Sequence, residues 1–199
     1  MSSSAAIDPV QRFLELFAQA SATPGHADPT GMTLSTIGDD GRPSARIVLL
    51  KGADARGLVF YTNRNSRKGQ ELLAHPDAAL TFWWPHIGMQ VRFEGAVAPV
   101  DDAEADGYFA SRPRGSQLGA WASDQSAPLA SRAELEARLA ELTRRYEGST
   151  IPRPPHWTGF RLLPTTIEFW QNRDDRLHHR EQYRRATPAS PWTMQLLNP

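Results

Sequence analysis

The chain of 199 residues has no cysteine. That absence excludes a disulfide framework, a thiolate zinc site, an iron–sulfur cluster and a cysteine nucleophile, and it fits a reducing compartment. Lysine is nearly missing too: of 22 basic residues only Lys51 and Lys68 are lysines, and 22 acidic residues bring the formal net charge to zero. No bulk field therefore favours nucleic acid or an acidic membrane surface. Long apolar runs are absent, the longest aliphatic stretch being residues 47–50, and the polar start Met1 to Ala6 lacks the apolar core of a signal peptide. A soluble, cytoplasmic protein is expected. G-x-G-x-x-G, Walker, H-E-x-x-H and G-x-S-x-G motifs are all missing, which removes the common dinucleotide, triphosphate, zinc-protease and serine-hydrolase readings. Among six histidines only His178 and His179 are close in sequence, and neighbours on a strand point to opposite faces, so no metal site is expected. A hydrophobic content of 40%, with no internal repeat, indicates a folded single domain over 1–199, with residues 1–7 expected to be disordered.

What is present reads as strands with helices inserted between hairpins. Asp8-Pro9 is a cap followed by a first-turn proline, with Val10, Phe13, Leu14 and Phe17 at helical spacing. From Gly31 come β-rich runs at 32–37, 45–51, 58–62, 78–84 and 90–97, broken by Gly38-Asp39-Asp40-Gly41, Gly57 and Pro85-His86-Ile87-Gly88. Ser66 caps a short helix through Leu73, Asp101 or Asp102 opens one reaching Phe109, and Ser131-x-x-Glu134 is a capping box ahead of Leu135, Leu139 and Leu142, with a stop at Gly148. Residues 152–155 read as a hinge or linker, and strands return at 159–163, 167–171, 180–184 and 192–197. The pattern predicts an α+β fold on an antiparallel barrel that the C-terminal strands close.

Four stretches carry candidate chemistry. In Phe60-Tyr61-Thr62-Asn63-Arg64-Asn65-Ser66-Arg67-Lys68, two cations occupy the first turn of a helix, where the dipole disfavours them unless an anion offsets it. A phosphate cradle explains this; so do solvated side chains at a cost of a few tenths of a kcal/mol. In Arg46-Ile47-Val48-Leu49-Leu50-Lys51 a basic residue closes each end of an apolar run, on opposite faces of a regular strand, which suits two ligands or a buried strand with wet ends. At helical spacing Tyr108 and Arg112 share a face with Ser116 just beyond, a donor set for a phosphate monoester or a helix end pairing with surface acids. On a strand, Arg176, His178 and Arg180 alternate onto one face, a row that is costly to bury without a charged ligand and ordinary at a wet edge.

In this order and spacing the four stretches resemble the pyridoxamine 5′-phosphate oxidase family, over about residues 8–199. The most specific part is Glu168-Phe169-Trp170-Gln171 followed, after four residues, by Arg176-Leu177-His178-x-Arg180. Gln90, Ser111-Arg112-Pro113, Gly119-Ala120-Trp121 and Gln125-Ser126 support it. The resemblance implies a homodimeric FMN-binding split β-barrel with peripheral helices and the cofactor at the subunit interface. It also implies oxidation of pyridoxamine or pyridoxine 5′-phosphate to pyridoxal 5′-phosphate, by hydride transfer from C4′ to flavin N5, with O2 reduced to H2O2. Carried over by position, the FMN contacts are Arg46, Ile47, Val48, Leu49, Leu50, Lys51, Tyr61, Thr62, Arg67, Lys68, Gln90, Gln125, Ser126, Trp170 and Arg180. Lys51, Tyr108, Arg112 and Ser116 would hold the substrate phosphate, with Arg176 and His178 as the catalytic pair at the reacting end. Two other functions fit the flavin half: an oxidase of another ring substrate, as in phenazine assembly, and a non-enzymatic flavin or pyridoxal-phosphate carrier. The sequence departs from the family pattern at His179, which replaces an acidic residue or asparagine and removes a charge partner for nearby arginines. It departs also at Leu196-Leu197-Asn198-Pro199, which lacks the usual arginine, and in the seven residues before Asp8, a short arm.

Overall fold

The computed structural model describes residues 8–25 and 28–199; the expectation for residues 1–7 falls outside them. Asp8 accepts a hydrogen bond from the Val10 amide, so helix α1 (Pro9–Ala22) starts at the expected cap. Its Phe13 is fully buried against Phe82, Trp84 and Phe93, with ring centroids 4.9 to 6.0 Å away, and this aromatic cluster is the centre of the main core.

One antiparallel sheet of nine strands organises the rest: β1 (Gly31–Ile37), β2 (Pro43–Leu49), β3 (Gly52–Asp54), β4 (Gly57–Asn63), β5 (Asp77–Trp84), β6 (Met89–Pro99), β7 (Trp157–Gln171), β8 (His179–Arg184) and β9 (Thr193–Leu196). The order is β2-β1-β5-β6-β7-β4-β3. Since only Leu50 and Lys51 separate β2 from β3, the two ends of that order return to each other and the sheet curls into a split barrel. The mixed helix and strand architecture agrees with the sequence reading, and β3 is an addition to it. Of the C-terminal segments expected to close the barrel, the first two do so and the last two do not. Residues 159–163 and 167–171 belong to one 15-residue strand, β7, which pairs with both β4 and β6, while β8 and β9 continue outward from its far half. A bulge between Glu94 and Gly95 lets β6 follow the bend of β7; a Cβ on Gly95 would sit 2.2 Å from the Leu163 carbonyl oxygen.

The helices lie outside: α2 (Arg67–Ala74), α3 (Asp102–Ser111), α4 (Arg114–Ala122) and α5 (Arg132–Arg145). Ser66, Asp101 and Ser131 cap α2, α3 and α5 with their side chains. Tyr108 and Ser116 do not share one helix: Arg112 ends α3 in an extended conformation, as a residue before proline must, and α4 starts after Pro113. Residues 152–155 are no hinge, since Ile151 and Pro154 are buried and the Trp121 indole donates to the Pro152 carbonyl at 2.7 Å. No strand runs through Arg176 either. Asp174–Arg176 form a 3₁₀ turn with Asp175 and Arg176 at φ 56° and 60°, so the alternation of Arg176, His178 and Arg180 is broken before β8 begins. Among the described residues, no helix is long and apolar enough to cross a membrane.

Candidate functional site

A cleft of about 280 Å³ opens between β2, β4, α3 and the start of β7. Ile47, Val48, Leu49, Lys51, Tyr61, Thr62, Lys68, Tyr108, Arg112 and Gln125 line it, together with Trp157. Three cations face it and no carboxylate does, so its field attracts anions. The Ser66 hydroxyl accepts from the Gly69 amide and donates to the Asn63 carbonyl, fixing the turn ahead of α2. That turn aims Lys68 at the cleft, where its Nζ donates to Gln125 Oε1 at 2.9 Å and Thr62 Oγ1 at 3.2 Å. Burial lowers the Lys68 pKa, and the Arg46 charge lowers it further.

One wall is aromatic. Tyr61 stacks on Tyr108 at 4.0 Å and on Trp157 at 5.1 Å, with interplanar angles of 14° and 9°. Burial pushes the Tyr61 phenol up to about 12, helped by Glu104, and raises Tyr108 as well. Both therefore remain neutral O–H donors around neutral pH. Arg112 lies against Trp157, and its Nη1 is buried with no hydrogen-bond partner among the described residues.

Arg46 and Arg67 are held elsewhere, on Glu71. This buried carboxylate accepts from Arg46 Nη2 at 3.0 Å, Arg67 Nε at 2.8 Å, Ser44 Oγ and Thr36 Oγ1. Burial alone would raise its pKa, but those hydrogen bonds bring it down to about 2. The dipole conflict at the start of α2 is thus divided: Arg67 has an internal anion four residues on, and Lys68 has no carboxylate within ion-pair distance among the described residues.

A second set lies near the other end of β7. Gln90, Trp170 and Arg180 are paired in register across β6, β7 and β8, with the half-exposed Trp83 opposite Gln90 on β5. The His178 ring lies 4.3 Å from that of Trp170, and His178 Nδ1 accepts from the Arg173 amide at 3.3 Å. Arg180 donates to Glu168 at 2.9 Å, which supplies the charge partner that His179 was expected to remove; His179 itself pairs with Glu181. Arg176 is exposed, as are Ser116 on α4 and Ser126, which has φ 73°. Neither serine nor any member of the second set lines the cleft. Trp157 is first and Trp170 next to last in the 15-residue strand β7, so the two sets stand near opposite ends of one strand. Sequence reasoning missed Trp157, Glu71 and Trp83. Trp157 follows a proline-rich loop and looks like core, Glu71 looks like a helix surface residue, and Trp83 becomes visible only through strand register.

A family model described as pyridoxamine 5′-phosphate oxidase matches residues 24–146, and one described as the pyridoxine 5′-phosphate oxidase C-terminal dimerisation region matches residues 157–199. The chain is 58% identical over 192 residues to a pyridoxine/pyridoxamine 5′-phosphate oxidase of Myxococcus xanthus, covering 96% of this chain and 92% of that one. With its counterpart in Azorhizobium caulinodans it shares 54% over 195 residues, covering 98% and 92%. Among solved structures it is similar to PhzG from Burkholderia lata, crystallised with tetrahydrophenazine-1-carboxylic acid, with a TM-score of 0.91 at 33% identity over 98% of this chain and 95% of that one. A pyridoxamine 5′-phosphate oxidase-related, FMN-binding protein from Nostoc punctiforme shares the fold, with a TM-score of 0.76 at 18% identity over 98% of this chain and all of that one.

Proposed function

Because the chain belongs to the pyridoxamine 5′-phosphate oxidase family, we propose that it is an FMN-dependent oxidase that converts pyridoxamine and pyridoxine 5′-phosphates to pyridoxal 5′-phosphate, with O2 reduced to H2O2. The observation that carries this reading is the cleft in which Lys51, Lys68 and Arg112 converge with two neutral phenols and no carboxylate. Its donor chemistry suits two phosphate groups.

Toward the cofactor, Lys68 with Thr62 and Gln125 offers donors on the cleft side, and Arg46 and Arg67 are kept oriented by Glu71. FMN bound there would supply a two-electron acceptor for the hydride of the substrate carbon, reoxidisable by dioxygen. Lys51, Tyr108 and Arg112 would take the substrate phosphate, with Ser116, outside the cleft lining, as a fourth donor. The stacked rings of Tyr61, Tyr108 and Trp157 exclude water from that end and strengthen its charge contacts. In this reading Gln90, Ser126, Trp170 and Arg180 complete the cofactor site, and Arg176 and His178 orient the reacting end of the substrate, from a second copy of the chain in a cytoplasmic homodimer. The match of residues 157–199 to a dimerisation region supports that arrangement.

A second reading, an oxidase acting on a phenazine precursor, is favoured by the likeness to PhzG. The two part at the phosphate. Purified protein with a flavin spectrum that forms pyridoxal 5′-phosphate and peroxide from pyridoxamine 5′-phosphate under air supports the first reading. Turnover of tetrahydrophenazine-1-carboxylic acid alone supports the second, and a yellow protein oxidising neither is a carrier.

A further inference from the structure

Arg112 differs from most of the half-buried arginines of this chain. Arg12, Arg46, Arg153, Arg161 and Arg180 each sit against a carboxylate. Arg112 has no such partner among the described residues, and its buried Nη1 meets no acceptor. Rings hold it: its guanidinium carbon lies 4.8 Å from the centre of Trp157 and 5.6 Å from that of Phe109. The indole is itself fixed. It is buried, it opens β7 opposite Asn63, and it meets Phe109 edge-on at 5.1 Å and Tyr61 face-on.

Arg185 also stacks on a ring, that of Trp192 at 4.2 Å, and its Nη2 too is buried without a partner among the described residues, but its Nε and Nη1 donate to the Pro164 and Pro188 carbonyls, so it ties down its own loop. Among the described residues the Arg112 side chain makes no hydrogen bond of this kind. A carboxylate in the place of Trp157 would occupy the N–H donors and cancel the charge; an aromatic face orients the guanidinium and uses neither.

We propose that Trp157 is a positioning residue for recognition of the substrate's phosphate: it holds the Arg112 guanidinium by stacking and leaves its donors to a phosphate monoester in the cleft. This rests on the reading of the cleft as the site of a phosphorylated pyridine. Replacement of the ring leaves Arg112 charged and present but unaligned, so the loss falls on ligands that carry phosphate.

The test is equilibrium binding of pyridoxal 5′-phosphate and of phosphate-free pyridoxal to the FMN-loaded protein, with the KM and kcat for pyridoxamine 5′-phosphate alongside. In Trp157→Leu, affinity for the phosphorylated ligand falls about tenfold and that for pyridoxal stays within about twofold, with KM rising more than kcat falls. Trp157→Phe keeps a smaller face and loses about threefold, again only with phosphate present; this variant decides the matter if the leucine protein fails to fold. Equal losses for both ligands, no loss, or a phenylalanine variant as impaired as the leucine one would overturn the proposal. Wild-type protein that prefers the phosphorylated ligand but oxidises no pyridoxamine 5′-phosphate sinks the oxidase reading and leaves the role of Trp157 standing; wild-type protein without that preference sinks the role of Trp157.

Discussion

Glu71 controls three cations from one buried position. It pairs with Arg46 and Arg67 and acts at longer range on Lys68, so the basic end of the barrel does not repel itself apart before any phosphate arrives. Its folded pKa of about 2 lies below the usual 4.5, so its contribution to stability is fully present above about pH 4.5 and is lost as pH falls toward 2. Glu71→Gln should be less stable than wild type by on the order of 2 kcal/mol at pH 7. That gap should close as pH falls from about 4.5 to 2, read as urea midpoints at several pH values. A gap independent of pH means that Glu71 acts through packing and not charge.

At the scale of elements, β7 links the two sets of candidate residues. Its first residue belongs to the cleft and its penultimate one to the second set, and the Glu94/Gly95 bulge lets it bend between them. Gly95→Ala pushes a methyl into the Leu163 carbonyl. It should destabilise the fold by about 2–3 kcal/mol and weaken flavin retention with it, measured by denaturant unfolding and by release of flavin fluorescence. A variant as stable as wild type would mean that β6 absorbs the methyl by moving. The caps of α1, α2 and α5 were legible from Asp8, Ser66 and Ser131 because capping is settled within three residues. The break between Tyr108 and Ser116 was legible too, in Pro113, yet helical spacing drew Tyr108 and Arg112 onto one helix face.

For the whole molecule, the match to a dimerisation region supports a second copy, and the proposed function divides each site between the two. Arg112→Gln and Arg176→Ala should each lose about a hundredfold in kcat/KM for pyridoxamine 5′-phosphate. Unfolded together and refolded as a mixture, they should recover about a quarter of wild-type activity, because half the dimers are hybrids with one intact site each. Two impaired proteins that stay impaired on mixing would put both arginines in the same subunit's site.

By itself the sequence determined what neighbouring residues settle among themselves: the caps, the turns, most strand positions, and the ordered signature from Arg46 to Arg180 that marks the family. Tertiary structure alone decided which partner each cation meets. Arg67 and Lys68 are adjacent and chemically alike, but Glu71 takes one and leaves the other for the cleft. Arg112 faces an indole from a distant strand and not an acid, and Gln90, Trp170 and Arg180 form one row only through the register of three strands. Long side chains have many rotamers open to them, and what selects one is the group that packing brings up from far along the chain.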